Sequence, residues 1–447
     1  MQAEWKQPGA ESAVRSSASS ASLWHNRPFL LLLSGYSLSV FGNGFQSIAL
    51  SLWILETTGS ARMMSLVMGI YMLSSLLFGA VAGTVSDRSN RIRLMTAADL
   101  LRALCTAGIA LVIGLAPQLT FAVLILVGMT AVSGLFHSPS MQTSLVRFAG
   151  QDQIQRSTSL VNIMENIARV SGLALGGVVI TWFGGVAAIW VDSFTFILSA
   201  ILISQAGAYI AARERQGIRA GEGEELAAPP DPVQESLNCK SHPPRKKLLS
   251  EMWSGLQFMK NDAAARAVMI LSPSLMLFFT SCLMLIQVVA VKVWKVNPAG
   301  FGLIEAAFPV GYLTGSFLIL TLDQRLRRRG WLIFAGIFSL GPVFVLMTFS
   351  RSLVISVLLI FAAGFMFAFA TLLVQILLRL RVQPDMLGRA FGILGSLTSV
   401  LPPAGLALSA FAADLYGPAP TLLIIGLLLS VLGILSFAGL KPIRDFD

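Results

Sequence analysis

An all-α membrane protein of twelve transmembrane helices in two six-helix bundles is the fold this sequence predicts. Three observations lead there. Of the 447 residues, 55% are hydrophobic and 12% are charged, against about 25% charged in a soluble globular domain. The apolar residues gather into twelve runs, each close to or above the roughly 20 residues that cross a hydrocarbon core. A polar stretch over 213–266 divides those runs into six and six.

The elements follow in order. Residues 1–27 form a polar, Ser- and Ala-rich tail with too little apolar surface to fold alone. The first run, Pro28–Leu55, is too long for a signal-peptide core and is followed by further spans, so it reads as an uncleaved helix. Met63–Val85, Leu94–Leu115, Leu119–Val146, Ser157–Phe183 and Val186–Ala212 complete a first bundle over 28–212. The stretch 213–266 contains GEGEELAAPPDP and HPPRKK, the composition of a flexible linker. Near its end, Leu248, Met252, Leu256 and Met259 recur at helical spacing and predict a short amphipathic helix on the membrane surface. Ala267–Val291, Phe301–Leu322, Trp331–Phe349, Leu353–Leu378, Phe391–Ala413 and Pro418–Leu440 then form a second bundle over 267–440, with a tail at 441–447.

Charge placement orients these spans. Arg88, Arg91, Arg93, Arg147, Arg156, the linker bases, Arg325, Arg327–Arg329, Arg379, Arg381 and Arg389 fall in loops on the side of the chain ends. The opposite loops carry only Arg62, Lys292, Lys295 and Arg351. Basic residues favour the cytoplasmic side, so both termini are expected there. The same alternation assigns the net charge of +10 to membrane topology and not to nucleic acid. Cys105, Cys239 and Cys282 are odd in number and dispersed, which argues against a disulfide framework. His25, His137 and His242 lack metal-ligand spacing, and no P-loop, nucleophile elbow or catalytic dyad is present. No enzyme, no cofactor and no metal is expected.

The most heavily charged loop of the first half is GTVSDRSNRIRLM, Gly83–Met95. Gly83 can let helices approach closely, and Arg88, Arg91 and Arg93 can serve as topology markers. Asp87 needs another role, because an acid adds nothing to that anchoring. A place near the start of the third helix would set it against exposed N–H groups and the helix dipole. The string resembles the signature loop of the major facilitator superfamily, Gly-x-x-x-Asp-Arg-x-x-Arg followed by a basic residue. The resemblance implies a two-bundle transporter in which Asp87 latches the halves, near Gly388 and Arg389 at the start of the eleventh span. ADLLRAL (98–104), SPSMQTSLV (138–146), ARVSGLALGG (168–177), VDSFTFILSA (191–200) and LGRAFGIL (387–394) are similar, in that order, to strings of the macrolide-efflux and enterobactin-exporter branch. Gly172, Gly176 and Gly177 match the glycines of the superfamily's antiporter motif, with Leu173 where that motif has proline. The fourth span also lacks the arginine that many drug–proton antiporters carry.

Charge inside a span costs roughly 2.5–3.5 kcal/mol and calls for a partner or a role. Asp99 and Arg102 share one helix face at a spacing of three, as do Glu165 and Arg169 at four. They either neutralise one another or hold a proton acceptor whose arginine is released on substrate binding. Asp192 and Glu305 lack a close basic neighbour in sequence and suit reversible protonation, although Asp192 can be a structural hydrogen-bonding group and Lys295 can neutralise Glu305. Asn43, Gln46, Asn162, Gln287 and Gln375 are candidates to line a central cavity or to join helices. His137, beside Pro139, is read as structural, with a proton relay as the alternative.

The expected function is secondary active transport: proton-coupled efflux of amphipathic small molecules by alternating access, the direction resting on resemblance. The alternatives are export of a siderophore or other metabolite, a lysophospholipid flippase, a proton symporter, or a non-transporting sensor or scaffold. The expected partners are a small-molecule substrate, protons and the lipid bilayer, with no nucleic acid and a monomeric state.

Overall fold

The computed structural model describes residues 23–219, 257, 259–322, 328–382 and 384–444. Among these, helices form twelve spans long and apolar enough to cross a membrane. In chain order they are α1 (Arg27–Thr58), α2 (Ala61–Arg88), α3 (Arg91–Leu115), α4 (Thr120–Gly134), α5 (His137–Ala149), α6 (Ile154–Phe183) and α7 (Gly185–Arg219). The second half contains α8 (Ala263–Lys292), α9 (Pro298–Leu322), α10 (Arg329–Phe349), α11 (Leu353–Arg381), α12 (Pro384–Tyr416), α13 (Pro418–Gly439) and the short α14 (Lys441–Arg444). Successive spans alternate in direction, so one face carries the starts of α1 and α8 and the ends of α7 and α13. We call it the terminal face, and its opposite the far face.

Polar residues between the apolar runs set the helix starts by accepting otherwise unpaired N–H groups. Asn26 accepts from the Phe29 N–H at 3.2 Å, with Pro28 in the first turn where no donor is needed. Ser60 opens α2 by accepting from Met63, and Asp262 opens α8 by accepting from Ala265 at 2.7 Å. That cap starts α8 four residues before the apolar run at 267, because a capping side chain and not hydropathy marks a helix N-terminus.

Two helix boundaries differ from the limits of the apolar runs. Asp87 lies in the last turn of α2, and Asn90 is the residue that caps α3, its side-chain oxygen accepting from Arg93 N–H at 3.2 Å. The fourth run is not one helix: α4 ends at Gly134 and α5 begins at His137. Pro139 has no N–H to return to the Leu135 carbonyl, so the helical ladder breaks one turn before it. Of the expected amphipathic helix, Leu248, Met252 and Leu256 lie outside the described residues, as do Cys239 and 323–327.

Within the first half α1 packs along α6 and α7, and α3 along α7; within the second, α8 packs on α12, α9 on α11 and α10 on α13. Two seams join the halves, α6 against α9 and α2 against α12. At the far face these seams are tight. The Ala299 N–H donates to Thr181 Oγ1 at 3.0 Å, and Lys292 Nζ donates to the Gly59 carbonyl. A Cβ on Gly177 would lie 3.0 Å from Gly302 Cα, so the glycines let α6 and α9 touch backbone to backbone. A side-chain atom at Gly83 on α2, or at Gly392 or Gly395 on α12, would meet no described atom within 4 Å. At the far face the two halves are in direct contact.

Candidate functional site

Polar side chains concentrate in the core of the first half, on faces of α1, α3, α5 and α7 that turn toward each other. Asp99 on α3 is fully buried and receives groups from four elements. Ser39 Oγ of α1 donates to Oδ1 at 3.3 Å and Ser199 Oγ of α7 donates to Oδ2 at 2.6 Å. His137 Nε2, at the start of α5, lies 3.1 Å from Oδ2, and Arg102 Nη1 lies 3.6 Å from Oδ1. The break before α5 is what places His137 there.

Arg102 is the hub. Its Nη1 donates to Ser39 Oγ at 3.0 Å, its Nη2 to Asn43 Oδ1, and its guanidinium sits 4.0 Å from the Phe196 ring centroid. The planar fork and weak hydration of arginine suit a buried, stacked position. One turn from Phe196 on α7, Asp192 is fully buried beside Gly42 of α1. Among the described residues, both of its carboxyl oxygens lack a hydrogen-bond partner, and the ring of Phe196 one turn away carries the Arg102 guanidinium. Buried polar atoms without partners are rare, and each calls for an explanation.

A second pair adjoins this network. Arg169 Nη2 contacts Glu165 Oε1 at 2.6 Å on α6, and Tyr36 Oη of α1 donates to Glu165 Oε2 at 3.0 Å. The Tyr36 ring stacks on His137, centroids 5.2 Å apart. Glu165 and Arg169 are partly exposed, unlike Asp99 and Arg102. A chain of contacts thus runs from the accessible Glu165 through Tyr36 and His137 to Asp99, Arg102 and the neighbourhood of Asp192.

The second half is built differently. Among the described residues, none of its charged side chains is fully buried. Phe279 of α8 stacks on Phe367 of α11 with centroids 3.8 Å apart, and Phe308 and Tyr312 of α9 join the cluster. Among the described residues, no ion pair links Glu305 on α9 to Lys295.

The remaining candidates are spread out. Gln46 and Gln287 are buried, Asn43 belongs to the Arg102 network, and Asn162 and Gln375 are exposed. Gly172 and Gly176 pack on the Phe41 and Phe45 backbone of α1 inside the first half, whereas Gly177 alone of the three meets α9. Arg91 Nη1 donates to the Thr143 carbonyl of α5 at 2.9 Å; Arg88 and Arg93 are exposed. Sequence reasoning missed Tyr36, Ser39, Phe196 and Ser199. A signal was present: Tyr36, Ser39, Asn43 and Gln46 follow one another at spacings of three, four and three, a polar stripe on one face of an apolar helix.

Comparison with known proteins bears on this arrangement. The family model described as Major Facilitator Superfamily matches residues 32–294 and 269–445. Macrolide efflux protein A of Streptococcus pyogenes is 23% identical over 424 residues, covering 94% of this chain and 97% of that protein. Multidrug efflux pump Tap of Mycolicibacterium fortuitum is 24% identical over 428 residues, with 94% and 97% covered. Among solved structures, the nucleoside transporter NupG aligns with a TM-score of 0.66 at 14% identity, over 94% of this chain and 100% of that one. A bacterial homologue of the human lysosomal transporter Spinster, inward-facing and occupied, aligns with a TM-score of 0.67 at 12% identity, over 94% and 98%.

Proposed function

This chain belongs to the major facilitator superfamily, and we propose that it is a proton-coupled exporter of amphipathic small molecules, of the drug or macrolide type, with its chain ends in the cytoplasm. The cargo class and the outward direction draw on the efflux relatives that match nearly its whole length. The bias of basic residues supports the orientation, which makes the terminal face cytoplasmic. One observation carries the coupling: Asp192, buried with both oxygens unpartnered among the described residues, lies one turn from the Phe196 ring that carries the Arg102 guanidinium. Asp99 already has donors on both oxygens, so Asp192 is the acid in this network free to take a proton. Protonation there removes its pull on Arg102, whose contacts with Ser39 and Asn43 tie α3 to α1. A shift of Arg102 toward Asp99 then loosens α1, the helix on which α6 and α7 pack. In this reading Asp87 holds the terminal face shut in the outward-facing state, against the start of α12. The aromatic cluster of the second half supplies an adaptable wall for apolar cargo. The working unit is taken to be a monomer.

Cells carrying the chain should accumulate less macrolide or ethidium than a deletion strain, and an uncoupler should erase the difference. Accumulation that rises with expression would point to uptake, and none of either would point to another cargo, a siderophore or a lysophospholipid among them. In the same assay Asp192→Asn should remove the dependence of export on the proton gradient, with dye still bound. If Glu305→Gln abolishes that dependence and Asp192→Asn leaves it intact, the coupling acid is in the second half.

A further inference from the structure

At the far face, the carboxylate of Asp414, in the last turn of α12, reaches across the seam to the first turn of α2. Its Oδ1 accepts from the Ala61 N–H at 2.8 Å. Its Oδ2 accepts from Ser60 Oγ at 2.7 Å, from Arg62 Nε at 2.8 Å and from the Arg62 N–H at 3.4 Å. The Asp414 side chain is 8% exposed and that of Arg62 56%. Arg62 also lies over Phe411, one turn back on α12, at 5.4 Å from the ring centroid.

An ion pair as exposed as Arg62 alone would contribute little. Here the acid does more than pair. The first N–H groups of a helix have no partner within it and carry the positive end of its dipole. Asp414 satisfies two of them from the other half of the molecule, while Ser60 both caps α2 through Met63 and donates to Asp414. Charge-assisted bonds of this kind are roughly twice as strong as neutral ones. None of them survives if α2 and α12 separate at this end.

We infer that Asp414, with Ser60 and Arg62, is the far-side latch: it holds this face closed and must release each time the molecule opens outward. The inference rests on the alternating-access part of the proposed function and not on the cargo. The seam between α6 and α9 is held by close backbone packing and the hydrogen bond from the Ala299 N–H to Thr181; the seam between α2 and α12 is held at this end by the Asp414 carboxylate. Breaking it therefore biases the conformational equilibrium without touching the buried network of the first half.

Distances between spin labels read that equilibrium directly. Labels at Thr57→Cys and Arg351→Cys, both exposed on the far face of opposite halves, are placed in full-length protein with Cys105, Cys239 and Cys282 replaced by Ala. In lipid nanodiscs without cargo, Asp414→Ala should raise the ratio of the long- to the short-distance population by about tenfold. Asp414→Asn, which can still accept from the α2 backbone but loses the charge, should fall between, and Arg62→Ala should resemble it. Glu56→Ala, an acid removed from the same face, should leave the ratio unchanged. Should Asp414→Ala fail to fold, Asp414→Asn and Arg62→Ala carry the test. Distributions identical to the parent in all the folded latch variants overturn the latch. No cargo enters this measurement, so a distance shift in a protein that exports no drug would overturn the cargo and leave the latch standing.

Discussion

Arg102→Gln should abolish transport and sharply lower thermal stability. Arg102 is 6% exposed, and its guanidinium serves Asp99, Ser39, Asn43 and the ring of Phe196 together. Removing one partner of a buried pair leaves the other charge uncompensated, at a cost of about 3–5 kcal/mol. Two acids are stranded here, Asp99 and Asp192, neither with access to water. The effects should not be additive: Asp99→Asn placed on Arg102→Gln removes one of the two stranded charges and should recover part of the melting temperature, while transport stays lost. A melting curve in nanodiscs and an efflux assay at matched expression separate the two. Parental stability and transport in Arg102→Gln would mean that the network neither holds the first half together nor drives its cycle.

How far the sequence discloses this site depends on whether partners lie along one helix or across several. Asp99 and Arg102, or Glu165 and Arg169, sit three or four residues apart, so helical geometry alone puts them on one face, and the structure separates their charged atoms by 3.6 and 2.6 Å. The twelve spans are legible for a related reason: a lipid-spanning helix must satisfy its backbone internally and present apolar side chains, which leaves a local hydropathy signature. Contacts between helices leave no such signature. Nothing near Ser39 or Ser199 in the chain indicates that both donate to Asp99, 60 and 100 residues away. Asp414 is harder still, since it closes the first turn of a helix more than 350 positions earlier. A helix cap, by contrast, is local: Asn90 immediately precedes α3 and its side-chain oxygen accepts from the Arg93 N–H.

Gly177→Val should lock the protein open at the far face and stop transport while leaving it folded. A Cβ at this position would stand 3.0 Å from Gly302 Cα and 3.1 Å from Ala299 Cα, and would press on the Pro298 carbonyl. All three obstacles are backbone atoms of α9, which cannot swing aside as a long side chain can. Overpacking of this sort costs roughly 1–3 kcal/mol, and the strain exists only while α6 and α9 are in contact. Separating the halves relieves it, so the substitution destabilises one conformation and not the fold. Gly172, five residues earlier, provides the contrast: its added Cβ would lie 3.1 Å from the Phe41 carbonyl carbon and 3.2 Å from its Cα, on α1 of the same half. No rocking motion relieves that clash, so Gly172→Val should lower the melting temperature instead. The spin-label pair at Thr57 and Arg351, read beside a melting curve, distinguishes the two: a long-distance population with near-parental stability for Gly177→Val, and a parental distance ratio in destabilised protein for Gly172→Val. Normal export by Gly177→Val would show that the cycle never brings α6 and α9 this close, and the arrangement with the far face in contact would then not be a working state.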